Sequence, residues 1–199
     1  PPGDGHALAV LGDSIPDGVG STMDANKRWP DLLANRLNTK GAEGWGIVNM
    51  GISGNRLLPD GAGQSALARF DRDVLSTPGV EAVVVFIGVN DLGISHGRFE
   101  GPMAEMMRAA RASSSPATAE TMIAGYRQLI ARAKARGLEV LGATITPYGG
   151  AFYYSEEGEA VRQAINTWIR TSKEVDGVLD FDAAIRDPAR PRHMREGFH

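Results

Sequence analysis

Three short stretches carry residue types that could do chemistry: Gly12, Asp13 and Ser14 in "GDSIPDG", Asn49, Met50 and Gly51 in "NMGISGNR", and Asn90 and Asp91 in "GVNDLG". A serine hydroxyl attacks a carbonyl carbon only when a base takes its proton. A negative oxygen forming at that carbon needs donors already fixed in place. A glycine lets a backbone N–H approach closely, and an asparagine amide donates without adding charge. Each stretch also has a plain structural reading. Asp13 and Ser14 could cap a helix, Gly51 could serve a turn, and Asn90 and Asp91 could do either.

The elements around these stretches decide whether they meet. Apolar runs at 7–12, 46–51, 80–88, 138–146 and 175–182 read as strands, and their near-continuous hydrophobicity suits strands buried on both faces. Between them, 28–37, 64–75, 117–137 and 155–172 show helical spacing. Trp29, Leu32, Leu33 and Leu37 fall on one face of the first, and Leu67, Phe70, Val74 and Leu75 on one face of the second. Ser155 is placed to cap the last, and Gly137 to stop the third. Strand–helix alternation over the whole length predicts right-handed βαβ units in a three-layer α/β/α sandwich, flavodoxin-like, with a five-stranded parallel sheet. Residues 1–199 read as a single domain without repeats, with a Met-rich insertion near 93–116. Ligands of such sheets bind beyond the carboxyl ends of the strands, which is where Ser14, Gly51 and Asn90 fall.

Composition narrows the class. The 199 residues are 42% hydrophobic and 23% charged, the balance of a soluble globular chain. A net charge of −3 gives no footprint for nucleic acid, and no apolar run approaches a membrane span. The chain has no cysteine, which excludes disulfides, thiolate nucleophiles and zinc–thiolate sites. No Walker loop or G-x-G-x-x-G follows the first strand, which tells against a nucleotide binder. Scattered histidines without H-E-x-x-H tell against a metallohydrolase.

The three stretches, in order, resemble the first three sequence blocks of the SGNH family, also called GDSL esterases and lipases. "ANKRWPDLLANRL", "SALARFDRDVLSTPGV", "IAGYRQLIARAKARGLEV" and "DGVLDFDAAIRDP" extend the resemblance, which is to secreted bacterial members, over almost the whole chain. It implies Ser14 as nucleophile, with its own N–H, that of Gly51 and the Asn90 amide forming the oxyanion hole. It implies an ester hydrolase with neither metal nor organic cofactor, located outside the cell. The expected partner is a small-molecule or carbohydrate ester, with no nucleic acid and no membrane span. Acyl groups are expected to be small or short, and acetylated carbohydrate is one option. Tyr148, Phe152, Tyr153 and Tyr154 are candidates for stacking on a sugar or aryl group, or equally for core or dimer packing.

The family's last block, Asp-x-x-His, has no full counterpart. His6 precedes the first strand, His96 follows the third in the insertion, where it could line the cleft or lie on the surface, and His193 lacks an acidic residue three positions before it. Glu196 and His199 have the right spacing in "EGFH". Two expectations therefore stand: the base and its carboxylate follow residue 199 together with a closing helix, or Glu196 and His199 replace them. A non-catalytic glycan-binding module on the same fold is the rival to the enzyme.

Overall fold

The computed structural model describes residues 5–40, 44–102 and 104–198. The apolar runs form five strands: β1 (His6–Gly12), β2 (Trp45–Gly51), β3 (Val80–Phe86), β4 (Glu139–Ala143) and β5 (Gly177–Leu179). All neighbours pair in parallel, in the order β2-β1-β3-β4-β5. The chain thus builds outward from β1 to β2 and then crosses back to β3. The switch in direction lies between β1 and β3, the position where open α/β sheets bind ligands. Register makes this rim even: Gly12 pairs with Gly51 on one side and with Phe86 on the other.

Both sheet faces are buried, as near-continuous apolar strands require. On one face Ala9, Leu11, Val83, Val85 and Ile87 pack in a core with Phe70, Met122, Leu129 and Ile165. These last come from α3 (Ala66–Phe70), α6 (Ala119–Lys134) and α7 (Glu156–Thr171), the elements numbered in chain order. On the other face Val10, Val84 and Phe86 meet Trp29 and Leu33 of α2 (Trp29–Thr39) and Phe181 of α8 (Phe181–Ile185). The remaining helices are α1 (Ser14–Asp17), α4 (Val89–His96) and α5 (Ala104–Ala112), the last being the Met-rich insertion. Among the described residues no helix is long and apolar enough to cross a membrane.

Several expected elements are shorter or differently wound. Leu32 of α2 faces out rather than in. The expected helix over 64–75 is α-helical only to Phe70, and then widens into a π-helical turn over Asp71–Leu75. The fourth strand ends at Ala143; Thr144 still donates its N–H to the Leu179 carbonyl of β5, while its Oγ1 donates to Asp180 and accepts from the Asp182 N–H. Caps behave as their chemistry predicts. Ser155 accepts from the Gly158 N–H at the start of α7, and Thr118 accepts from Thr121 at the start of α6.

A buried ion network fixes α7 against the ends of β4 and β5. Arg162, fully buried, donates to Glu159 at 2.8 Å, to Asp182 at 2.7 Å and to the Ile145 carbonyl. Removing one partner of such a pair leaves the others buried and uncompensated, at a typical cost of about 3–5 kcal/mol. Arg162→Ala should lower the unfolding free energy by that order in urea titrations followed by circular dichroism, with α7 as the element that loosens.

Candidate active site

Ser14 stands at the first position of α1, directly beyond the tip of β1. Asp13 is the cap of that turn, its Oδ1 accepting from the Ile15 N–H at 3.0 Å. The cap reading and the chemical reading therefore coexist: the aspartate caps, and the serine is carried to the rim. Gly12 has to be glycine, since a Cβ there would lie 2.3 Å from the Pro16 ring and 2.5 Å from the Phe86 carbonyl.

Gly51 is not placed as the family resemblance implied. Its N–H donates to Asn49 Oδ1 at 3.0 Å, while Asn49 Nδ2 reaches across to the Pro16 carbonyl. A Cβ on Gly51 would lie 2.4 Å from the Asp17 nitrogen, so this glycine is a contact surface for α1 and its donor is engaged. Of the two glycines of "GISG", the one that lines a cavity with Ser14 and Asn90 is Gly54, three residues on, with a positive φ of 76° that favours glycine. The two glycines are indistinguishable as letters in "GISG". Only the direction of the chain after β2 separates them.

The Gly54 loop is held from three directions. Asp17 accepts from Ser53 through both its N–H and its hydroxyl. Asn90 Nδ2 donates to the Asn55 carbonyl at 2.9 Å, which uses one amide hydrogen and leaves the second for a ligand. Asp91 accepts from the N–H groups of Leu57 at 2.8 Å and Leu58 at 3.1 Å. Below them lies Arg69, a residue to which sequence pattern alone assigns no role. Its guanidinium donates to the Gly12 carbonyl, the Met50 carbonyl, Asn55 Oδ1 and Asp73. One buried cation thus ties the ends of β1 and β2 to the loop.

Two cavities meet at Ser14, and Ser14 and Tyr153 line both. The first, about 740 Å³, runs past Trp29, Phe86 and Tyr148 to the C-terminal segment, where His193, Met194 and Phe198 form part of its wall. The second, about 570 Å³, holds Gly54 and Asn90 and is otherwise walled largely by apolar side chains from α4 and α5. The aromatic candidates separate here. Tyr148 is buried and stacks with Tyr153 and against Tyr154, while Phe152 is the exposed one at 64%. Packing, more than an open stacking rim, accounts for the tyrosines.

Of the histidines, His6 pairs with Glu81 on the sheet's opposite end, and His96 bonds the Ala117 carbonyl. His193, which fits no motif by its spacing, lies in the first cavity's wall against Gly149 and Gly150. Glu196 is exposed, and His199 lies outside the described residues.

A family model described as the GDSL-like lipase/acylhydrolase family matches residues 10–199. The chain belongs to that family. Ester hydrolysis is the activity this membership assigns. Among solved structures, the SGNH-hydrolase family esterase AlinE4 is similar at a TM-score of 0.62 and 18% identity, over 99% of this chain and 87% of that one. The psychrotrophic esterase EstA from Pseudoalteromonas sp., solved in a form inhibited by monoethylphosphonate, is similar at 0.58 and 17%, over 89% and 78%. The acetyl xylan esterase AlAXEase is similar at 0.58 and 21%, over 86% and 75%. At these identities the likeness establishes the fold. No curated relative matches the chain.

The two carboxyls flanking the site are unusual. Burial pushes Asp13 up to about 7, against the Ile15 N–H that lowers it and with the charge of Asp91 adding to the rise. Burial likewise pushes Asp91 up to about 6, opposed by the two backbone donors and by Arg56. A carboxyl raised by folding stabilises the protein most when protonated, so its contribution is present below about pH 4 and is lost as pH rises to about 7. Asn at position 13 keeps an oxygen for the Ile15 N–H but does not ionise. Asp13→Asn should therefore gain stability relative to the parent between about pH 4 and pH 7 and level off above, as urea titrations at a series of pH values will show.

Proposed function

We propose that the chain hydrolyses small, short-acyl esters through an acyl-enzyme on Ser14. Ser14 Oγ attacks the ester carbonyl carbon and passes its proton to a base. The carbonyl π electrons move onto oxygen, and the tetrahedral centre collapses by expelling the alcohol, which takes up the proton. Water then repeats the sequence on the acyl-serine. The oxyanion is received by the N–H of Ser14, the N–H of Gly54 and the second hydrogen of the Asn90 amide. The observation that carries the reading is the shared cavity of Ser14, Gly54 and Asn90, with Asn90 hydrogen-bonded to the Asn55 carbonyl and the neighbours of Gly54, Ser53 and Asn55, held by bonds of their own before any substrate arrives.

The base is proposed to be a histidine of the C-terminal segment. That segment walls the first cavity, so an imidazole on it approaches Ser14 from the side opposite Gly54 and Asn90. This division sends the leaving alcohol toward the first cavity, where the base can protonate it, and the acyl group toward the second. The inhibition of EstA by monoethylphosphonate supports the serine chemistry, since a phosphonate is the adduct class expected of a serine nucleophile.

A fluorophosphonate probe followed by peptide mapping tests the assignment directly. Label on the peptide containing Ser14, lost in Ser14→Ala with unchanged circular dichroism, is the expected result. Turnover of p-nitrophenyl acetate surviving Ser14→Ala would remove the serine from the mechanism, whereas a parent protein with neither label nor turnover would favour a binding module. Asn90→Ala should lower kcat by roughly 10²–10³ with little change in KM, the signature of a donor that acts in the transition state. His193→Ala and His199→Ala, made separately, identify the base by which of them loses activity on the order of 10³-fold or more, and activity kept in both assigns it to a histidine that follows residue 199.

A further inference from the structure

Among the described residues three arginines are buried, and two of them have carboxylate partners. Arg69 pairs with Asp73 at 2.9 Å, and Arg162 with Glu159 and Asp182. Arg56 differs. It is 5% exposed, yet among the described residues no carboxylate oxygen lies within ion-pair distance of it. Its Nη1 donates to Ser114 Oγ at 3.1 Å and its Nη2 to the Asp60 carbonyl, and its buried Nε has no partner. A guanidinium stays charged at every relevant pH, and buried charges are as a rule paired. The charge of Asp91 is felt by Arg56, but its oxygens accept from the Leu57 and Leu58 N–H groups and it makes no ion pair with the guanidinium.

This cation lines the second cavity together with Ser14, Gly54 and Asn90. Its position relative to them is fixed by backbone, because the Asn55 carbonyl is held by Asn90 and the next two N–H groups, Leu57 and Leu58, by Asp91. Gly61, also in the wall, lies against the guanidinium, and a Cβ there would come within 2.8 Å of Nη2. The rest of the wall is apolar, chiefly Ile94, Phe99, Met106, Met107 and Ala110. The cavity therefore has donors for a carbonyl oxygen at one place, a hydrocarbon lining, and one unpaired cation.

We propose that the second cavity takes the acyl group and that Arg56 is its specificity-determining residue, binding a carboxylate at the far end of that group. The favoured substrates are then monoesters of short dicarboxylic acids. A carboxylate supplies the missing counter-charge and accepts charge-assisted hydrogen bonds, and the Met-lined walls adapt to the methylenes between the two ends. The inference rests on Ser14 being the acylated residue, and its test keeps the two apart.

The experiment compares p-nitrophenyl butyrate with mono-p-nitrophenyl glutarate, which adds a terminal carboxylate. The parent protein should prefer the glutarate ester in kcat/KM by roughly 10- to 100-fold, the range of a hydrogen bond to a charged group. Arg56→Met should collapse that ratio and Arg56→Lys should keep part of it, whereas a merely structural role would lower both esters together and leave the ratio in place. Free glutarate, titrated calorimetrically into Ser14→Ala protein, should bind more tightly than butyrate, which reads the site without turnover and without altering Arg56. No preference for the glutarate ester in the parent, or a preference untouched by Arg56→Met, overturns the proposal. Glutarate binding retained where neither ester is turned over by the parent supports the Arg56 site and tells against the Ser14 mechanism.

Discussion

The guanidinium of Arg69 is the constraint on which the site's geometry depends. Parallel strands end in carbonyls that point out of the sheet with no ladder partner, and buried carbonyls without partners are costly. Near the ends of β1 and β2 one arginine takes two carbonyls, that of Gly12, which also accepts from the Ile52 N–H, and that of Met50. The same side chain holds Asn55, whose amide in turn donates to the Ala62 and Gln64 carbonyls. Asp73, one π-helical turn beyond, balances the charge. A neutral side chain could not reach four acceptors on three segments, and a lysine lacks the flat fork. The loop between β2 and α3 is thereby rigid where a hydrolase needs fixed donors.

Around that cation the protein keeps two carboxyls out of water, Asp13 beside Ser14 and Asp91 beside Asn90. Each accepts backbone N–H groups, and each is nonetheless raised because burial outweighs those bonds. The arrangement gives up some stability at neutral pH for position. Asp13 orients the turn that presents Ser14, and Asp91 grips the segment that carries Gly54 and Arg56. Such local cost is common where geometry serves chemistry.

Much of the fold was legible in the residues because it follows from periodicity and capping. The five strands, their parallel sense, the caps at Ser155 and the rim holding Ser14 and Asn90 all follow from local pattern. What was not legible depends on how the chain turns in three dimensions. Nothing in "NMGISGNR" says that Asn49 occupies the Gly51 N–H and that the loop then swings Gly54 to the cavity. Arg69 reads as a surface residue of an amphipathic helix until its reach to Gly12, 57 residues away, is seen. His193 has no acidic partner at the expected spacing, and its place in the cavity wall comes from the Arg192 carbonyl accepting the Gly149 N–H, a contact between distant segments. Tyr148 and its neighbours look like a rim in sequence because they follow a strand end. They turn inward because α7 and its capped first turn supply the surface they pack on.

The position of Ser14 between two cavities is itself a consequence of strand order. A nucleophile at an edge strand would face solvent on one side and could bind only one arm of an ester firmly. β1 lies inside the sheet, next to the point where the chain reverses its outward growth, so loops from β2 and β3 rise on one side of the serine and those from β4 and the C-terminal segment on the other. An ester has two substituents on one carbonyl carbon, and the mechanism proposed above treats them differently: one leaves with a proton, the other stays on the serine until water arrives. Donors for the oxyanion belong with the arm that stays, since they act in both halves of the reaction. The proton carrier belongs with the arm that leaves. In the mechanism proposed above, Gly54 and Asn90 on one side and the C-terminal segment on the other meet that requirement, and the reversal of strand order beside β1 is the feature of the fold that makes room for both.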